Sequence, residues 1–340
     1  MSLATPRWWY LRGRRSAPLA RLLLRPASWV WTWATARRIA AGHPVDPGVP
    51  VICVGNLTMG GAGKTPVARE ILLRLARAGI RTHALSRGHG GRLTGPLQVD
   101  PLRHTAADVG DEPLMLARDV PVCIARNRAL GALAAVRAGA QALVMDDGHQ
   151  NPSVEKTLSL VVVDGETRED EWPFGDGAVF PSGPMREPLA AGLARADAVV
   201  VLLPVGSDAP DPTLIALFEG KPVLIARLVA AAPTPPGPQL GFAGVAKPWK
   251  VERALIAAGC ELADFAALPD HARLDERLLE ALADRASVHH AGLVTTEKDW
   301  VRLPPAWRER VTAWPVRVQF DDEAALDALL QQACGRILSG

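Results

Sequence analysis

Short apolar runs rich in β-branched residues recur at 49–54, 82–85, 121–125, 142–145, 158–163, 197–203, 222–226, 292–295 and 314–320. Each reads as a strand buried on both faces. Between many of them the apolar positions shift to a period near 3.6, as at 126–138, 249–258 and 275–285, which predicts amphipathic helices. Alternating strands and helices predict an α/β fold with a mainly parallel sheet covered on both faces. The stretch Pro233-Thr234-Pro235-Pro236-Gly237-Pro238 is too proline-dense for an interior strand. It places a linker at 231–240, between a larger unit at 46–230 and a smaller α/β unit at 241–340 that closes the cleft.

The first 45 residues break this pattern. They carry eight arginines and no Asp or Glu, which leaves the remainder of this +2 chain at −6. Five of the ten tryptophans (Trp8, Trp9, Trp29, Trp31, Trp33) fall here as well. The longest uncharged run, 26–36, is eleven residues; a bilayer span needs about 20. Arginines interrupt the apolar stretch, and Arg37-Arg38 stands where a signal peptide needs a cleavage site. A helix at 26–41 is expected, with Pro26 in its first turn and Gly42 as its stop. Trp favours the headgroup level and Arg reaches phosphates, so residues 1–45 are expected to lie on an anionic membrane surface. The alternative is an ordinary helix packed on the body with solvated arginines. No second basic patch follows, so no nucleic-acid partner is expected, and no obligate protein partner is evident.

The first strand runs into Gly55-Asn56-Leu57-Thr58-Met59-Gly60-Gly61-Ala62-Gly63-Lys64-Thr65, and Pro66 opens a helix with Val67, Ile71, Leu72 and Leu75 on one face. Strand, glycine loop, Gly-Lys-Thr and helix form the context of a phosphate-binding loop. Glycines let N–H groups converge on phosphate oxygens, the helix N-terminus adds positive potential, Lys64 can bridge the outer phosphates and Thr65 can ligate Mg²⁺. Thr58 stands where the strict pattern has its first glycine, and the glycines cluster at 60, 61 and 63. Thr58, Gly60, Gly61, Ala62, Gly63, Lys64 and Thr65 are therefore the expected nucleotide contacts, with ATP and Mg²⁺ as cofactors.

The run Ala142-Leu143-Val144-Met145 ends in Asp146-Asp147-Gly148-His149-Gln150. Carboxylates at the C-terminal end of a parallel strand face the ligand crevice, so Asp146 or Asp147 can hold Mg²⁺. Adjacent strand residues point to opposite faces, so both reach a metal only if the strand has ended. In Gly110-Asp111-Glu112-Pro113, Asp111 or Glu112 serves either the site or merely a helix cap. Arg87 and Arg92, in a glycine-rich loop, either clamp a phosphate or are solvated. His271 stands in a loop after Pro269-Asp270, and Thr295-Thr296-Glu297-Lys298-Asp299 either caps a helix or touches ligand. Cys53, Cys123, Cys260 and Cys334 form no CxxC pair, which excludes a cysteine-built zinc site and a disulfide framework.

Taken together, Val54–Thr58 running into Gly60–Pro66, Ser86-Arg87-Gly88, Gly110–Pro113, Asp146–Gln150 and Thr296–Asp299 resemble the tetraacyldisaccharide 4′-kinase family of lipid A biosynthesis. Residue 89 departs: the family has Tyr in its Arg-Gly-Tyr-Gly stretch, and here it is His89. The resemblance implies two α/β/α domains joined by a two-stranded linker, in a monotopic enzyme on the cytoplasmic face of the inner membrane. It implies transfer of the ATP γ-phosphoryl group to the 4′-hydroxyl of a tetraacylated glucosamine disaccharide 1-phosphate. It further implies Asp111 as general base assisted by His271, with Lys64, Thr65, Glu112, Asp146 and Asp147 as nucleotide and metal residues. A nucleotide-dependent switch or metallochaperone, which the Gly-Gly-x-Gly-Lys-Thr variant also serves, is the competing reading, and a soluble sugar or nucleoside kinase is a third.

Overall fold

The computed structural model describes residues 5–168, 170–207 and 209–338; the first four residues of the basic N-terminal segment and the last two of the chain lie outside them. Two sheets form among the described residues. Unbroken aliphatic runs supply β1 (Val51–Gly55), β2 (Thr82–Ser86), β4 (Val122–Ile124), β5 (Ala142–Asp146), β6 (Leu158–Asp164), β7 (Ala198–Leu203) and β8 (Val223–Ala230), with the short β3 (Leu97–Gln98) at one edge. The chain then builds a second sheet from β9 (Gln239–Ala243), β10 (Leu262–Ala267), β11 (Gly292–Thr296) and β12 (Val311–Trp314) before β13 (Val316–Phe320) closes the first.

The large sheet has the order β13-β8-β7-β6-β1-β5-β2-β4-β3. β1 lies between β5 and β6 and is parallel to both. The C-terminal ends of these central strands therefore point the same way: Asp146 ends β5 opposite Val54, and β6 runs three residues past Val161, the partner of Gly55, to Asp164. Parallel pairing needs crossover helices, and the helices Lys64–Arg77 and Arg128–Arg137 provide two of them. The first buries Val67, Ile71, Leu72 and Leu75 against Ile52, Val54, Val144 and Leu160 in the main core. The small sheet is parallel throughout, in the order β10-β9-β11-β12, and its core is built on Leu240, Phe242, Leu279, Leu282 and Trp307.

The expectation of a single small unit at 241–340 is corrected at its C-terminal end. The apolar run 314–320 reads as one strand, but Pro315 has no N–H to continue a ladder. β12 stops at Trp314, the Pro315 carbonyl accepts the N–H of Ala231 (2.9 Å), and β13 pairs antiparallel with β8. The helix Glu323–Leu338 follows it, and Leu326, Leu330 and Cys334 bury in the same core as Val54 and Val67. The small sheet is thus an insertion between two neighbouring strands of the large one. β9 and β10 were illegible as strands because Gln-Leu-Gly-Phe-Ala and Leu-Ala-Asp-Phe-Ala-Ala hold no β-branched residue.

The N-terminal helix is longer than its pattern predicts. It spans Pro18–Ala40, with Pro18 in its first turn and Pro26 inside it. Pro18 occupies the place where a missing N–H costs nothing; Pro26 forfeits one internal bond and the helix continues. Its burial is inverted relative to an ordinary surface helix: Ser28 and Thr35 are buried, while Leu19, Leu22, Leu23, Trp29, Val30 and Trp33 are all more than 60% exposed. The Ser28 hydroxyl reaches the Val179 carbonyl (2.8 Å) and Ser182 Oγ (2.7 Å). Among the described residues no helix is long and apolar enough to cross a membrane.

Candidate active site

The glycine loop leaves β1 at Gly55 and enters the helix Lys64–Arg77 through Gly63. Gly63 has φ +78°, and a Cβ there would run into the Leu202 side chain, so both conformation and space demand glycine. No side chain caps this helix, so its first N–H groups are left for an anion. The loop is pinned on one flank by the segment 184–186. Met59 N–H donates to the Pro184 carbonyl (2.7 Å), and Arg186 Nε donates to the Thr58 carbonyl (3.0 Å).

The acidic pair sits at the end of β5. The strand stops at Asp146, and Asp147 takes φ +55°, so the two carboxylates are not forced to opposite faces. Thr65 Oγ1 donates to Asp146 Oδ2 (2.9 Å). Asp146 is 3% exposed, and its Oδ1 has no hydrogen-bond partner. Burial first, then the negative charge of Glu112, pushes the Asp146 carboxyl up to about 7. Asp147 differs. Burial would raise it, but Lys64 (3.6 Å) and Arg186 (2.7 Å) hold it well below the usual carboxylate range.

A second polar cluster is assembled from both sheets. Asp111 opens the helix Asp111–Leu116 and is 7% exposed, with Oδ1 accepting the Glu112 N–H (3.0 Å). Gly110, not Asp111, occupies the cap position. Across from it His271 Nδ1 stands 3.0 Å from Asp111 Oδ2, and Lys298 Nζ stands 3.9 Å from the same oxygen and 3.1 Å from Glu112 Oε1. Burial pushes the Asp111 carboxyl up; His271 and Lys298 outweigh it and bring it down to about 2. Asp111 in turn raises His271 against its partial burial. Burial lowers Lys298, but Glu112 and Asp111 hold its ammonium well above the ordinary lysine value.

The 295–299 cluster divides by role. Thr296 caps the turn Glu297–Trp300, and Asp299 is fully buried, accepting from Gly244 N–H (3.0 Å) and pairing with Arg302 (2.8 Å). Glu297 pairs with Arg69 of the glycine-loop helix (2.8 Å), and Lys298 alone of the five reaches the Asp111 cluster. Arg92 is engaged by Asp108 (2.6 Å), the acid of a capping box with Thr105, and its side chain points its charge there. Arg87 is exposed, and its charge is felt by Arg128.

Sequence reasoning missed Arg128 and Arg186. Arg128 is 3% exposed, donates to the Ala125 carbonyl (2.6 Å), and keeps an unpartnered Nε. Burial, then Arg87, lowers it to about 10. It follows the end of β4, so the strand-end rule that located Asp146 could have found it. Arg186 lies in an irregular stretch with no periodicity, and nothing in the pattern singles it out. Its own carbonyl accepts Trp31 Nε1–H from the N-terminal helix (2.9 Å).

A magnesium–nucleotide complex takes only one or two protein ligands beside phosphates and waters. Among the described residues no group of three or more His, Cys, Asp or Glu could hold a metal unaided. The buried, unpartnered Asp146 Oδ1 beside the Thr65 hydroxyl fits the smaller requirement. Asp147 and Glu112 are occupied by cations.

The profile of a family described as tetraacyldisaccharide-1-P 4′-kinase, LpxK, matches residues 20–335. The tetraacyldisaccharide 4′-kinase of Caulobacter vibrioides (strain NA1000 / CB15N) is 68% identical over 331 residues, covering 97% of this chain and 99% of its own. That of Phenylobacterium zucineum (strain HLK1) is 66% identical over 330 residues, with coverage of 97% and 99%. The fold is similar to a crystal structure of LpxK from Aquifex aeolicus in complex with ATP, with a TM-score of 0.71 at 24% identity, covering 92% of this chain and 99% of that one. With its sequence matched nearly end to end, this chain belongs to the tetraacyldisaccharide-1-P 4′-kinase family.

Proposed function

We propose that this protein is an ATP-dependent kinase that transfers the γ-phosphoryl group to the 4′-hydroxyl of a tetraacylated glucosamine disaccharide 1-phosphate, at the cytoplasmic face of the inner membrane. The observation that carries the reading is the joining of two half-sites. Arg69 of the glycine-loop helix pairs with Glu297 (2.8 Å), and the next residue, Lys298, reaches Glu112 (3.1 Å) and Asp111 (3.9 Å), so one short turn ties the phosphate-loop helix to the buried carboxylate.

In this reading the N–H groups of the glycine loop and of the helix N-terminus hold the triphosphate, and Lys64 reaches its outer phosphates. Thr65 and Asp146 would hold Mg²⁺, which when bound neutralises charge building up between the β- and γ-phosphates. Asp111 aims the acceptor hydroxyl. As the new O–P bond forms and the bond to the bridging oxygen of ADP breaks, the hydroxyl proton passes to Asp111 Oδ2. A carboxyl near 2 is a weak base, but phosphoryl transfer passes through a loose transition state and needs the proton removed only late. His271, 3.0 Å away, steadies the carboxylate and offers the proton a route out. Arg186, paired with Asp147 (2.7 Å), and the buried Arg128 would screen the charge of the transferring group.

The N-terminal helix explains how a lipid is reached. Withdrawing acyl chains from a bilayer costs about 0.8 kcal/mol per CH₂, so the enzyme goes to its substrate. The exposed Leu and Trp face would enter the leaflet while Arg25, Arg37 and Arg38 meet phosphates. The deciding assay uses purified protein, labelled ATP and the tetraacyl disaccharide 1-phosphate in detergent micelles. Labelled bis-phosphorylated lipid is expected from the wild type and not from Lys64→Ala. Lipid-independent ATP hydrolysis without phospholipid product would overturn the reading in favour of a switch.

A further inference from the structure

One buried phenol has no part in this chemistry. Tyr10 comes from the N-terminal segment ahead of the helix Pro18–Ala40 and is 8% exposed. Its hydroxyl donates to the Met59 carbonyl (2.7 Å), inside the glycine loop. The same hydroxyl would stand 3.4 Å from a Cβ on Gly60. On the other side Lys247 Nζ lies 5.3 Å from the ring centroid and pairs with Asp164 Oδ2 (2.6 Å), the last residue of β6. The Tyr10 carbonyl accepts the Trp172 N–H (2.7 Å), which fixes the backbone that carries the ring. Burial raises the phenol pKa, so the group remains a donor.

The carbonyl of Met59 and the N–H of Gly60 belong to one rigid peptide plane. Anchoring the oxygen therefore sets the direction in which the Gly60 N–H points. Gly60 has φ +90° and no side chain with which to hold itself, so its orientation depends on its neighbours. Met59 is gripped from both sides: its N–H by the Pro184 carbonyl and its carbonyl by Tyr10. We propose that Tyr10 is a positioning residue of the nucleotide site, orienting the Met59–Gly60 peptide so that triphosphate affinity depends on a side chain of the interfacial segment. This rests on the reading of residues 58–65 as the triphosphate cradle.

The test uses the full chain and Tyr10→Phe, which keeps the ring and its contact with Lys247 but removes the donor. The Kd of a nonhydrolysable ATP analogue and the KM for ATP are expected to rise about threefold to tenfold, the range of one neutral hydrogen bond. The kcat and the KM for the lipid are expected to stay within twofold. An analogue Kd within twofold of wild type, an equal rise in both KM values, or a lowered melting temperature with unchanged nucleotide affinity would each overturn the proposal. Lys64→Ala runs alongside. If it binds the analogue as wild type does, the cradle reading fails and takes Tyr10's role with it. If it loses binding while Tyr10→Phe does not, only the role of Tyr10 is refuted.

Discussion

His271 Nδ1 meets Asp111 Oδ2 at 3.0 Å, although one residue hangs from the small sheet and the other opens a helix of the large unit. Lys298 approaches the same carboxylate oxygen, 3.9 Å away. A buried carboxylate is thus met by two ionisable nitrogen groups from another layer. Asp111→Asn keeps the shape and removes the proton acceptor. Turnover is expected to fall by about 10²- to 10⁴-fold, with the Kd for an ATP analogue within twofold of wild type. Single-turnover transfer to the lipid, measured beside analogue binding, checks both halves; near-normal transfer would remove Asp111 from the chemistry.

The pair also titrates. Asp111 raises the pKa of His271 above its ordinary value. A histidine so raised binds its proton more tightly folded than unfolded. Its contribution is complete below about pH 6.5, the unfolded value, and fades as pH climbs through the raised one. The gap in melting temperature between wild type and His271→Asn is therefore expected to be wide at pH 6 and narrow at pH 8.5. Thermal unfolding across that range reads it directly, and a gap that widened with pH would contradict the pairing.

Lys298 serves two carboxylates at once, Glu112 at 3.1 Å and Asp111 at 3.9 Å. Lys298→Met keeps the aliphatic stem and deletes the charge. Two adjacent acids then lose their shared cation, and the Asp111 pKa is expected to move up. The acid limb of the kcat profile should shift to higher pH while the KM for ATP changes little. A pH–rate profile identical to wild type would show that the lysine only bridges the two layers.

For the N-terminal helix the prediction concerns surfaces. Leu22, Leu23, Trp29 and Trp33 are exposed, and each apolar side chain of this size gains about 1.5–3 kcal/mol on leaving water. The pair Leu23→Ser and Trp33→Ser is expected to cut sedimentation with anionic vesicles by at least tenfold and to leave transfer to a micelle-dispersed lipid less affected. Undiminished vesicle binding would mean that the helix does not seat the protein.

How far the sequence could be read depended on whether a signal was local. The central strands β1, β5, β6 and β7 were plain because they are aliphatic on both faces. The turn at Gly63, Lys64 and Thr65 is legible because a glycine loop between a strand and a helix is written in consecutive residues. β9 and β10 were hidden by alanine and glycine, and Arg186 by an irregular stretch whose meaning comes only from Asp147 and Thr58. The division of labour between Lys298 and Asp299 was unreadable too: neighbours in sequence, one faces the acids of the other layer and one is sealed beneath Gly244. The family resemblance supplied the pairing of Asp111 with His271, which no spacing could have given.

The return of β13 to pair with β8 gives the small sheet two moorings, a few residues apart, on a single edge of the large one. A body tied at both ends can swing about that edge but cannot wander from it. His271 and Lys298 would therefore remain at high effective concentration around Asp111 however the small sheet moved. Cutting one mooring, by cleavage near Pro315, would leave every residue in the molecule and still dilute the encounter.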